Sequence, residues 1–383
     1  MTIERRTLLR GMTALPVAAG LSALPAVGSS ALSSPVVEAA AVEDVPAGFP
    51  EPNRRLQLYA VQLEDDNGQT RLGYGHDPDN ASYPGPTIEM LEGECIAITL
   101  HNEVPRETLE ALRTDEETPL GVSLHVHGVR YTHESDGTVH SGSWVAPGES
   151  RTYLWFARPP ARRRGIPGTA GYWWYHDHVV GTPHGTGGLK SGLFGALVVR
   201  RSSDPIPDRT YVTAFGDLMT INLRRYPATD TYDPADPKPG PTSFVARQGE
   251  RVEFVCIALG DEMHTWHLHG HNWADTRTGV IEDVPWADSV QIIDNKTIGP
   301  GDSFGFQVIA GELSGPGDWM LHCHMQRHSD HGMVTHFHVL DRQGRPWDHG
   351  DTAAQNAPAQ ASTGQASTGQ RSAERGASPA QHH

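Results

Sequence analysis

The chain has 383 residues, a length that favours two or three domains. Its formal net charge of −16 at pH 7 argues against a general binder of nucleic acids or of anionic membranes. Beyond the N-terminal region, no stretch of sequence approaches the length and apolar character of a membrane-spanning helix.

The two ends of the chain differ in composition from the region between them. Residues 4–10 read ERRTLLR, which resembles a twin-arginine export signal, and a weakly apolar run of small residues follows. We therefore predict a signal and linker over residues 1–44, and a protein that is secreted or otherwise extracytoplasmic in a bacterium. Residues 346–383 are rich in Ala, Gln, Ser, Thr and Gly and repeat ASTGQ, a composition that predicts a disordered tail.

An internal repeat organises the region between these ends. The motifs PGPT, Gly-Glu and HxHG follow one another over residues 84–128 and again over residues 239–270. Short β-rich runs such as CIAITLHN at 95–102 are bounded by turn residues, and no long amphipathic helical pattern competes with them. The sequence therefore predicts two all-β sandwiches, over residues 45–203 and 204–345.

Histidine pairs of the form His-x-His recur in both copies of the repeat. Two pairs occupy matching places in each copy: His125/His127 and His176/His178, then His267/His269 and His322/His324. Alternation along a strand places both members of a pair on one face. A single pair is often only two polar residues on an exposed strand. Four pairs supply more imidazoles than a mononuclear site can use, and beside a Cys/His/Met set they favour copper.

The segment WMLHCHMQRHSDHGM at 319–333 supplies that Cys/His/Met set. It places Cys323 five residues before His328 and ten before Met333. A thiolate, an imidazole and a thioether at this spacing suit a mononuclear electron-transfer copper. Neighbouring side chains of an extended segment point to opposite faces, so the two histidines that flank Cys323 must serve a second site. The cysteine backbone would then join the two sites covalently.

The first copy of the repeat lacks the mononuclear set. Asp177 stands where the second copy has Cys323, and Thr182 and Val122 stand where it has further histidines. A carboxylate cannot replace the thiolate of such a site. We therefore predict that the first domain keeps only its His-x-His pairs.

These motifs resemble those of the multicopper oxidases and, within that family, those of the bacterial two-domain small laccases. The resemblance covers residues 51–341 and rests on LHVHGVRY, WWYHDHVVGTPHGTGGLKSGLFG, HTWHLHGHNW and the Cys323 segment. It implies two cupredoxin domains, which are Greek-key β-sandwiches. It also implies four coppers per chain: one type 1, one type 2 and a type 3 pair.

The resemblance further implies a role for each ligand. The type 1 copper would take His264, Cys323 and His328 as equatorial ligands, with Met333 as its axial neighbour. The type 2 copper would take His125 and His267. The type 3 pair would take the other members of the pairs: His127, His176, His178, His269, His322 and His324. Five more histidines lie in or near the motifs, and we expect supporting or surface roles for them: His184, His271, His331, His336 and His338.

Three further residues match positions near the copper cluster in the small laccases. Asp136 matches an acidic position near the type 2 copper and Asp294 one near the type 3 pair, where carboxyl groups could relay protons to dioxygen. Each also belongs to an ordinary turn dipeptide, which leaves a purely structural role open. Tyr131 could donate an electron to the cluster or simply pack in the core.

The implied activity is the one-electron oxidation of phenols or aromatic amines, coupled to the four-electron reduction of dioxygen to water. Electrons from the small-molecule reductant would enter at the type 1 copper and pass through Cys323 to His322 and His324. No spare domain closes the arrangement inside one chain. The resemblance therefore implies a homotrimer with trinuclear clusters at the subunit interfaces.

Other functions remain open. A metallo-oxidase would take electrons from Cu(I) or Fe(II), but only Met263 and Met325 lie close to the type 1 ligands. Glu262 precedes Met263, and some relatives carry aromatic residues at these two positions. A copper nitrite reductase is also a two-domain trimer, but Asp177 and the full set of paired histidines argue against it. Copper storage or simple electron transfer would not need four His-x-His pairs.

Two cysteines remain after the assignment of Cys323. Cys95 and Cys256 lie in predicted strands, at non-equivalent positions of the two copies. An exported protein could pair them. We favour two buried free thiols, since free cysteine is commonly buried. The arginine run at 162–164 is predicted to be a solvated loop.

Overall fold

The computed structural model describes residues 48–237, 240, 242–282 and 290–347. The predicted signal, almost all of the tail and part of the second PGPT motif lie outside the described residues. Within them the chain consists mainly of short β-strands joined by turns, which confirms the all-β class.

The first half forms two four-stranded sheets. The sheet orders are β2-β1-β4-β6 and β3-β8-β7-β5. The strands are β1 (Arg54–Glu64), β2 (Thr70–Gly75), β3 (Gly85–Leu91), β4 (Cys95–Asn102), β5 (His125–Val126), β6 (Ser150–Phe156), β7 (Gly171–His176) and β8 (Phe194–Arg200). In β1, Leu56, Leu58 and Ala60 are buried and alternate with more exposed residues, so one face of the strand lines the core.

The second half repeats this plan with additional short strands. Its sheets have the orders β10-β9-β12-β17 and β11-β19-β18-β13-β16, with a two-stranded sheet β14-β15 beside them. The strands are β9 (Arg209–Gly216), β10 (Thr220–Ile221), β11 (Phe244–Arg247), β12 (Arg251–Ala258), β13 (His264–Leu268), β14 (Trp273–Ala274), β15 (Ile292–Ile293), β16 (Asn295–Ile298), β17 (Ser303–Ile309), β18 (Gly317–Cys323) and β19 (Val334–Leu340). Trp266, Phe254 and Phe306 form the centre of its aromatic core.

Matching strand pairings confirm the internal repeat. Strands β1 and β4 pair in parallel, and so do their counterparts β9 and β12. The order β3-β8-β7-β5 returns as β11-β19-β18-β13 with the same parallel and antiparallel senses. Strands β7 and β18 are therefore equivalent, and each ends at the first histidine of a His-x-His pair or one residue beyond it.

Helices are short. The α-helices are α1 (Arg106–Leu112), α2 (Thr186–Ser191) and α3 (Gln326–Asp330), and 3-10 turns occur at Pro78–Asn80, His133–Ser135 and Arg162–Arg164. The side chains of the last turn are exposed, as predicted for a solvated loop. In the described part of the chain, no helix is long and apolar enough to cross a membrane.

A buried ion pair joins the two halves. Arg200, at the end of β8, donates to both carboxylate oxygens of Glu253 in β12, at 2.7 and 2.6 Å. Glu253 is fully buried and also accepts hydrogen bonds from the Tyr172 hydroxyl at 2.8 Å and the Gln307 amide at 3.0 Å. Removing one partner of such a pair costs about 3–5 kcal/mol, so this contact is one link that holds the two halves together. The predicted boundary at 203/204 falls between β8 and β9 and stays a prediction.

The two remaining cysteines are buried free thiols, as predicted. Cys256 is fully buried in β12. Cys95 begins β4, and its thiol donates to the carbonyl oxygen of Pro50 at 3.3 Å. Burial raises the pKa of Cys95 to about 11.

Candidate metal centre

Cys323 lies in a buried group with two histidines. It ends β18, while His264 begins β13 on the neighbouring strand and His328 lies in α3. The sulfur lies 4.0 Å from Nδ1 of His264 and 3.6 Å from Nδ1 of His328. All three residues are 0–1% exposed. One ion between them would be held by the sulfur and both Nδ1 atoms.

The chemistry of this group fits copper. Burial raises the pKa of the Cys323 thiol, so a bound cation is needed to hold it as a thiolate. Burial, helped by the nearby His328, lowers the pKa of His264 to about 4 and keeps the imidazole neutral, the form that binds metals. A sulfur donor with neutral imidazoles in a dry pocket is typical of a mononuclear copper site.

Met333 lies beside this group, where the sequence predicts it. It is fully buried, and its backbone N–H donates to the His328 carbonyl at 3.0 Å. The Cys323 N–H in turn donates to the Met333 carbonyl at 3.2 Å. These bonds hold the methionine next to the sulfur and the imidazole; its role as an axial ligand stays a prediction.

The outer edge of the group carries a carboxylate. Glu262 places Oε2 3.3 Å from Nε2 of His328, while its Oε1 accepts a hydrogen bond from Arg327 at 3.0 Å. The adjacent Met263 is 55% exposed. The surface beside His328 therefore carries the Glu262–Arg327 ion pair and a partly exposed thioether, features that bear on the reductant.

The paired histidines form two separate clusters. The first histidine cluster consists of His125, His127, His176 and His178, and the second of His267, His269, His322 and His324. In the first, Nε2 of His127 lies 3.2 Å from Nε2 of His176. In the second, His269 and His322 stand in the same relation, also at 3.2 Å. The repeat thus builds the same four-imidazole arrangement twice.

Asp136 and Asp294 occupy equivalent positions behind these clusters. Nδ1 of His125 lies 2.6 Å from the Asp136 carbonyl oxygen, and Nδ1 of His267 lies 2.8 Å from that of Asp294. Their carboxylate oxygens lie 3.7 and 3.9 Å from the same nitrogens. Asp294, expected near the type 3 pair, thus contacts His267, and its charge also acts on His269.

Backbone carbonyls orient two more imidazoles. Nδ1 of His176 donates to the Asp177 carbonyl at 2.7 Å, and Nδ1 of His322 donates to the Cys323 carbonyl at 2.9 Å. With Nδ1 protonated and engaged, Nε2 presents its lone pair to the centre of the cluster, as metal-ligating histidines do. These two imidazoles are therefore oriented as metal ligands.

Burial keeps these imidazoles neutral. It lowers the pKa of His127 to about 4 and that of His176 well below its usual range, and neighbouring histidines add to both shifts. The pKa values of His178, His269 and His322 are also lowered, with burial as the largest cause in each case. Neutral imidazoles bind metal without first releasing a proton.

The segment around Cys323 links the two kinds of site. His322 and His324 belong to the second histidine cluster, while Cys323 between them points to His264 and His328. This placement confirms that the neighbours of Cys323 face the opposite way. The cluster and the sulfur site are thus joined through one residue's covalent bonds.

In the first half, Asp177 occupies the position of Cys323 and accepts hydrogen bonds. It is fully buried, and Oδ1 accepts from the Ser123 N–H at 2.8 Å. Oδ2 accepts from the N–H groups of Val179 and Val180 at 3.0 and 2.7 Å. Ser123 is the counterpart of Thr265, whose N–H donates to the Cys323 sulfur at 3.4 Å. The carboxylate therefore ties together a loop that a metal ion would hold in the second half.

We expect Asp177→Asn to lower the free energy of unfolding by about 1–3 kcal/mol, because every polar contact of this carboxylate is a donor and an amide NH2 would face one of them. Chemical denaturation of the copper-free protein measures the change. Asp66→Asn, on an exposed turn, is the matched control and should stay within about 0.5 kcal/mol of the unchanged protein. Equal stability of the two variants would contradict the acceptor role of Asp177.

Tyr131 lies where the sequence predicts it, next to the first histidine cluster. Its ring meets that of His125 edge to face at 5.8 Å and packs against the first core. Burial, followed by the Asp136 carboxyl group, raises the pKa of Tyr131. Both expected roles, electron donor and packing residue, remain compatible with this position.

The other histidines of the motifs divide into two kinds. His271 is buried with both nitrogens engaged, by the His269 carbonyl at 3.0 Å and by the Gly311 N–H at 3.0 Å, so it supports His269. His336 and His338 form a group with Asp230 that the sequence does not reveal. They are visible in the sequence as another His-x-His pair, but Asp230 is 106 residues away from His336 and no pattern joins them.

The two histidine clusters stand apart within one chain. Among the described residues, no imidazole of the first cluster contacts an imidazole of the second, and the metal-compatible groups of each half are separate. The first cluster lines a cavity of about 440 Å³ that Leu218, Leu223 and Leu259 of the second half also bound. Within the described part of one chain, the two clusters are thus separate groups of imidazoles.

Comparison with known proteins agrees with this interpretation of the site. A sulfur site joined covalently to a cluster of imidazoles, on two cupredoxin units, defines a copper oxidoreductase. Family models described as multicopper oxidase match residues 78–204 and 216–343. The chain belongs to the multicopper oxidase family, whose members bind copper.

The sequence identity to individual relatives is low. A probable nitrite reductase-hydroxylamine oxidoreductase fusion protein of Kuenenia stuttgartiensis is 32% identical over 279 residues, which cover 70% of this chain and 28% of that protein. A solved multicopper oxidase has 20% identity and a TM-score of 0.53, covering 75% of this chain and 88% of its own. A blue copper oxidase from Nitrosomonas europaea has 21% identity and a TM-score of 0.50, covering 74% and 85%. These structures show the cupredoxin fold.

Proposed function

We propose that the protein is a laccase-type oxidase, which takes single electrons from phenols or aromatic amines and reduces dioxygen to water. The observation that carries the proposal is the placement of Cys323 in one metal-compatible group and of its two neighbours in another. Copper bound at both places would supply one-electron redox chemistry and the reduction of dioxygen.

The residues around His328 would receive the reductant. His328 is buried, and its Nε2 faces outward to Glu262, whose side chain is 35% exposed. The exposed thioether of Met263 lies next to it in sequence and offers an apolar surface to an aromatic ring. We propose that the substrate docks on this edge and that the electron enters through the imidazole.

Asp136 and Asp294 would move protons toward the clusters. Each lies beside Nδ1 of a cluster histidine and is partly exposed, with side-chain exposures of 29% and 47%. A carboxyl group in that position can exchange protons with solvent and with a water near the cluster. We propose this relay for both residues, in symmetric places of the repeat.

Assembly would complete the trinuclear site. Each chain carries one histidine cluster from each half, and the two do not meet within the described residues. We propose a homotrimer in which the first histidine cluster of one subunit faces the second cluster of the next, a closed heterologous ring.

The fully loaded protein should hold four coppers per chain, one in the Cys323 group and three in the completed cluster, because the ligand set provides for that number. Metal analysis of the desalted protein measures it. Two coppers per chain together with nitrite turnover would instead support the nitrite reductase alternative. The name of the relative from Kuenenia stuttgartiensis makes this comparison necessary.

Oxygen uptake with four reductants tests the activity itself. A phenol, an aromatic amine, Fe(II) and Cu(I) are supplied in turn, and the products of oxygen reduction are measured. The laccase proposal expects turnover of the phenol and the amine, with water and without accumulating peroxide. Oxygen uptake with the metal ions alone would reject it in favour of a metallo-oxidase.

The metallo-oxidase remains a second candidate because of Glu262, since a carboxylate oxygen over the electron-entry histidine could bind Fe(II). Under the laccase proposal, Glu262→Gln should keep kcat/KM for a neutral phenol within about fivefold, because losing a partly exposed charge costs no more than about 1 kcal/mol. Steady-state kinetics of this variant, with the exposed Glu312→Gln as control, provide the measurement. A selective loss of Fe(II) turnover beyond that range would favour the metallo-oxidase.

A further inference from the structure

A further histidine pair lies on β19, apart from the ligands assigned to copper. His336 and His338 are two residues apart and therefore share one face of the strand. Both contact the carboxylate of Asp230: Oδ2 lies 2.6 Å from Nδ1 of His336, and Oδ1 lies 3.0 Å from Nε2 of His338. One possible ligand atom from each of the three residues lies within 4.8 Å of the others.

His338 has a carboxylate at each ring nitrogen. Besides Asp230 at Nε2, Asp318 on the neighbouring strand places Oδ1 2.6 Å from Nδ1. A neutral imidazole carries a single N–H, so its other nitrogen would turn a lone pair toward a carboxylate oxygen. That arrangement is repulsive unless a further proton or a metal ion lies between the nitrogen and the carboxylate oxygen.

We propose that Asp230, His336 and His338 form a binding site for a divalent transition-metal ion, separate from the copper sites. Two imidazoles and one carboxylate with an open fourth position suit Zn²⁺, and Cu²⁺ shares this preference. Asp318 would accept the Nδ1 proton of His338 and so fix the ring with Nε2 toward the ion. Carboxylate, histidine and metal in that order are a recurring arrangement in metal sites.

The surroundings suit a small ion. The ring of Tyr232 stacks on His338 at 3.8 Å, and His338 is only 4% exposed. The side chains of Asp230 and His336 are 16% and 22% exposed, which leaves a path from solvent to the open position. The ligands are thus held from one side and reachable from the other.

Strand pairing places this site beside the second histidine cluster, and the charge of His336 acts on the cluster residue His269. Met320 lies opposite His336 and Asp318 opposite His338, whereas the cluster residue His322 lies opposite Val334. The site therefore uses the same two strands farther along their length. It does not depend on the proposed oxidase function.

The test uses the copper-loaded full chain and zinc alone as the probe. Calorimetric titration with Zn²⁺, followed by desalting and metal analysis, should find one zinc per chain in addition to the copper. The variant with both His336→Gln and His338→Gln should bind at least about 100-fold more weakly, having lost two of three ligands. His140→Gln, which removes an exposed histidine elsewhere, should bind like the unchanged protein. A parallel titration with Cu²⁺ separates a zinc site from a fifth copper site.

A milder variant keeps the proposal testable if the double variant does not fold. Asp318→Ala leaves all three ligands in place but removes the acceptor that orients His338, so zinc affinity should fall by about 10–100-fold. Crystals soaked in zinc should show anomalous scattering between the three side chains. Unchanged affinity in Asp318→Ala, equal binding by the double variant, or no zinc in the unchanged protein would each overturn the proposal. A second proton on His338 would then hold the two carboxylates together.

Discussion

Replacing Cys323 by serine should abolish the intense blue absorption of a thiolate–copper bond. Oxygen-coupled turnover of a phenol should fall by at least about a thousandfold, a loss typical of a group on which the whole reaction depends. The reason is that Cys323 supplies the sulfur of the buried group and also its covalent link to His322 and His324. Absorption spectra, metal analysis and oxygen uptake of the same preparation measure the effect.

A matched cysteine variant separates this effect from general damage. Cys95 is also buried and free, but it lies at the start of β4 in the first half, where its thiol donates to the Pro50 carbonyl. Cys95→Ser should keep the blue band and the activity. Cys323→Ser should in addition retain copper in the histidine clusters, three per chain. A blue band that survives in Cys323→Ser would show that the type 1 assignment is wrong.

Mixing two inactive variants should restore activity. One variant lacks His125 and His127, and the other lacks His267 and His269. Each alone should be inactive, since every cluster loses imidazoles from one of its halves. In a closed ring of three, each mixed trimer contains one interface at which both intact halves meet. Random assembly from equal amounts then leaves about a quarter of all clusters intact, and about a quarter of the activity should return.

The mixing experiment needs two controls. The variants are unfolded and refolded with copper together, and each is also refolded alone. Both must regain the blue band, because the Cys323 group is untouched in either variant. If mixed samples that are trimeric and copper-loaded remain inactive, the cluster is built within one chain. The intersubunit arrangement would then be wrong, while the assignment to the multicopper oxidase family would stand.

Much of this site can be predicted from the sequence because its ligands follow local rules. The alternation of an extended chain puts the two residues of a His-x-His pair on one face and Cys323 on the other, and the structure shows both. The run CIAITLHN coincides with β4. The repeat relates the second half to the first, so the order of the motifs alone is enough to match His125 with His267.

Contacts between residues far apart in the chain are what the sequence does not reveal. Glu253 is one acidic residue in a predicted strand, yet it is the buried partner of Arg200. Asp230 carries no local signal of its proximity to His336. Asp177 can be recognised as a missing cysteine, but the donors that surround it depend on how the loop after β7 folds back. Such pairs are chosen by packing and electrostatics in the folded chain.

The buried contact of Arg200 with Glu253 also bears on the shape of an assembly. If three identical chains close into a ring, the two contacting faces of each chain must differ in direction by one third of a full turn. A flexible connection between the halves would let that angle drift, and the chains would then join as readily into an open spiral. The charged pair and its hydrogen bonds to the Tyr172 hydroxyl and the Gln307 amide restrict the angle between the two halves of each chain. In that case the geometry of the single chain determines how many subunits close the ring.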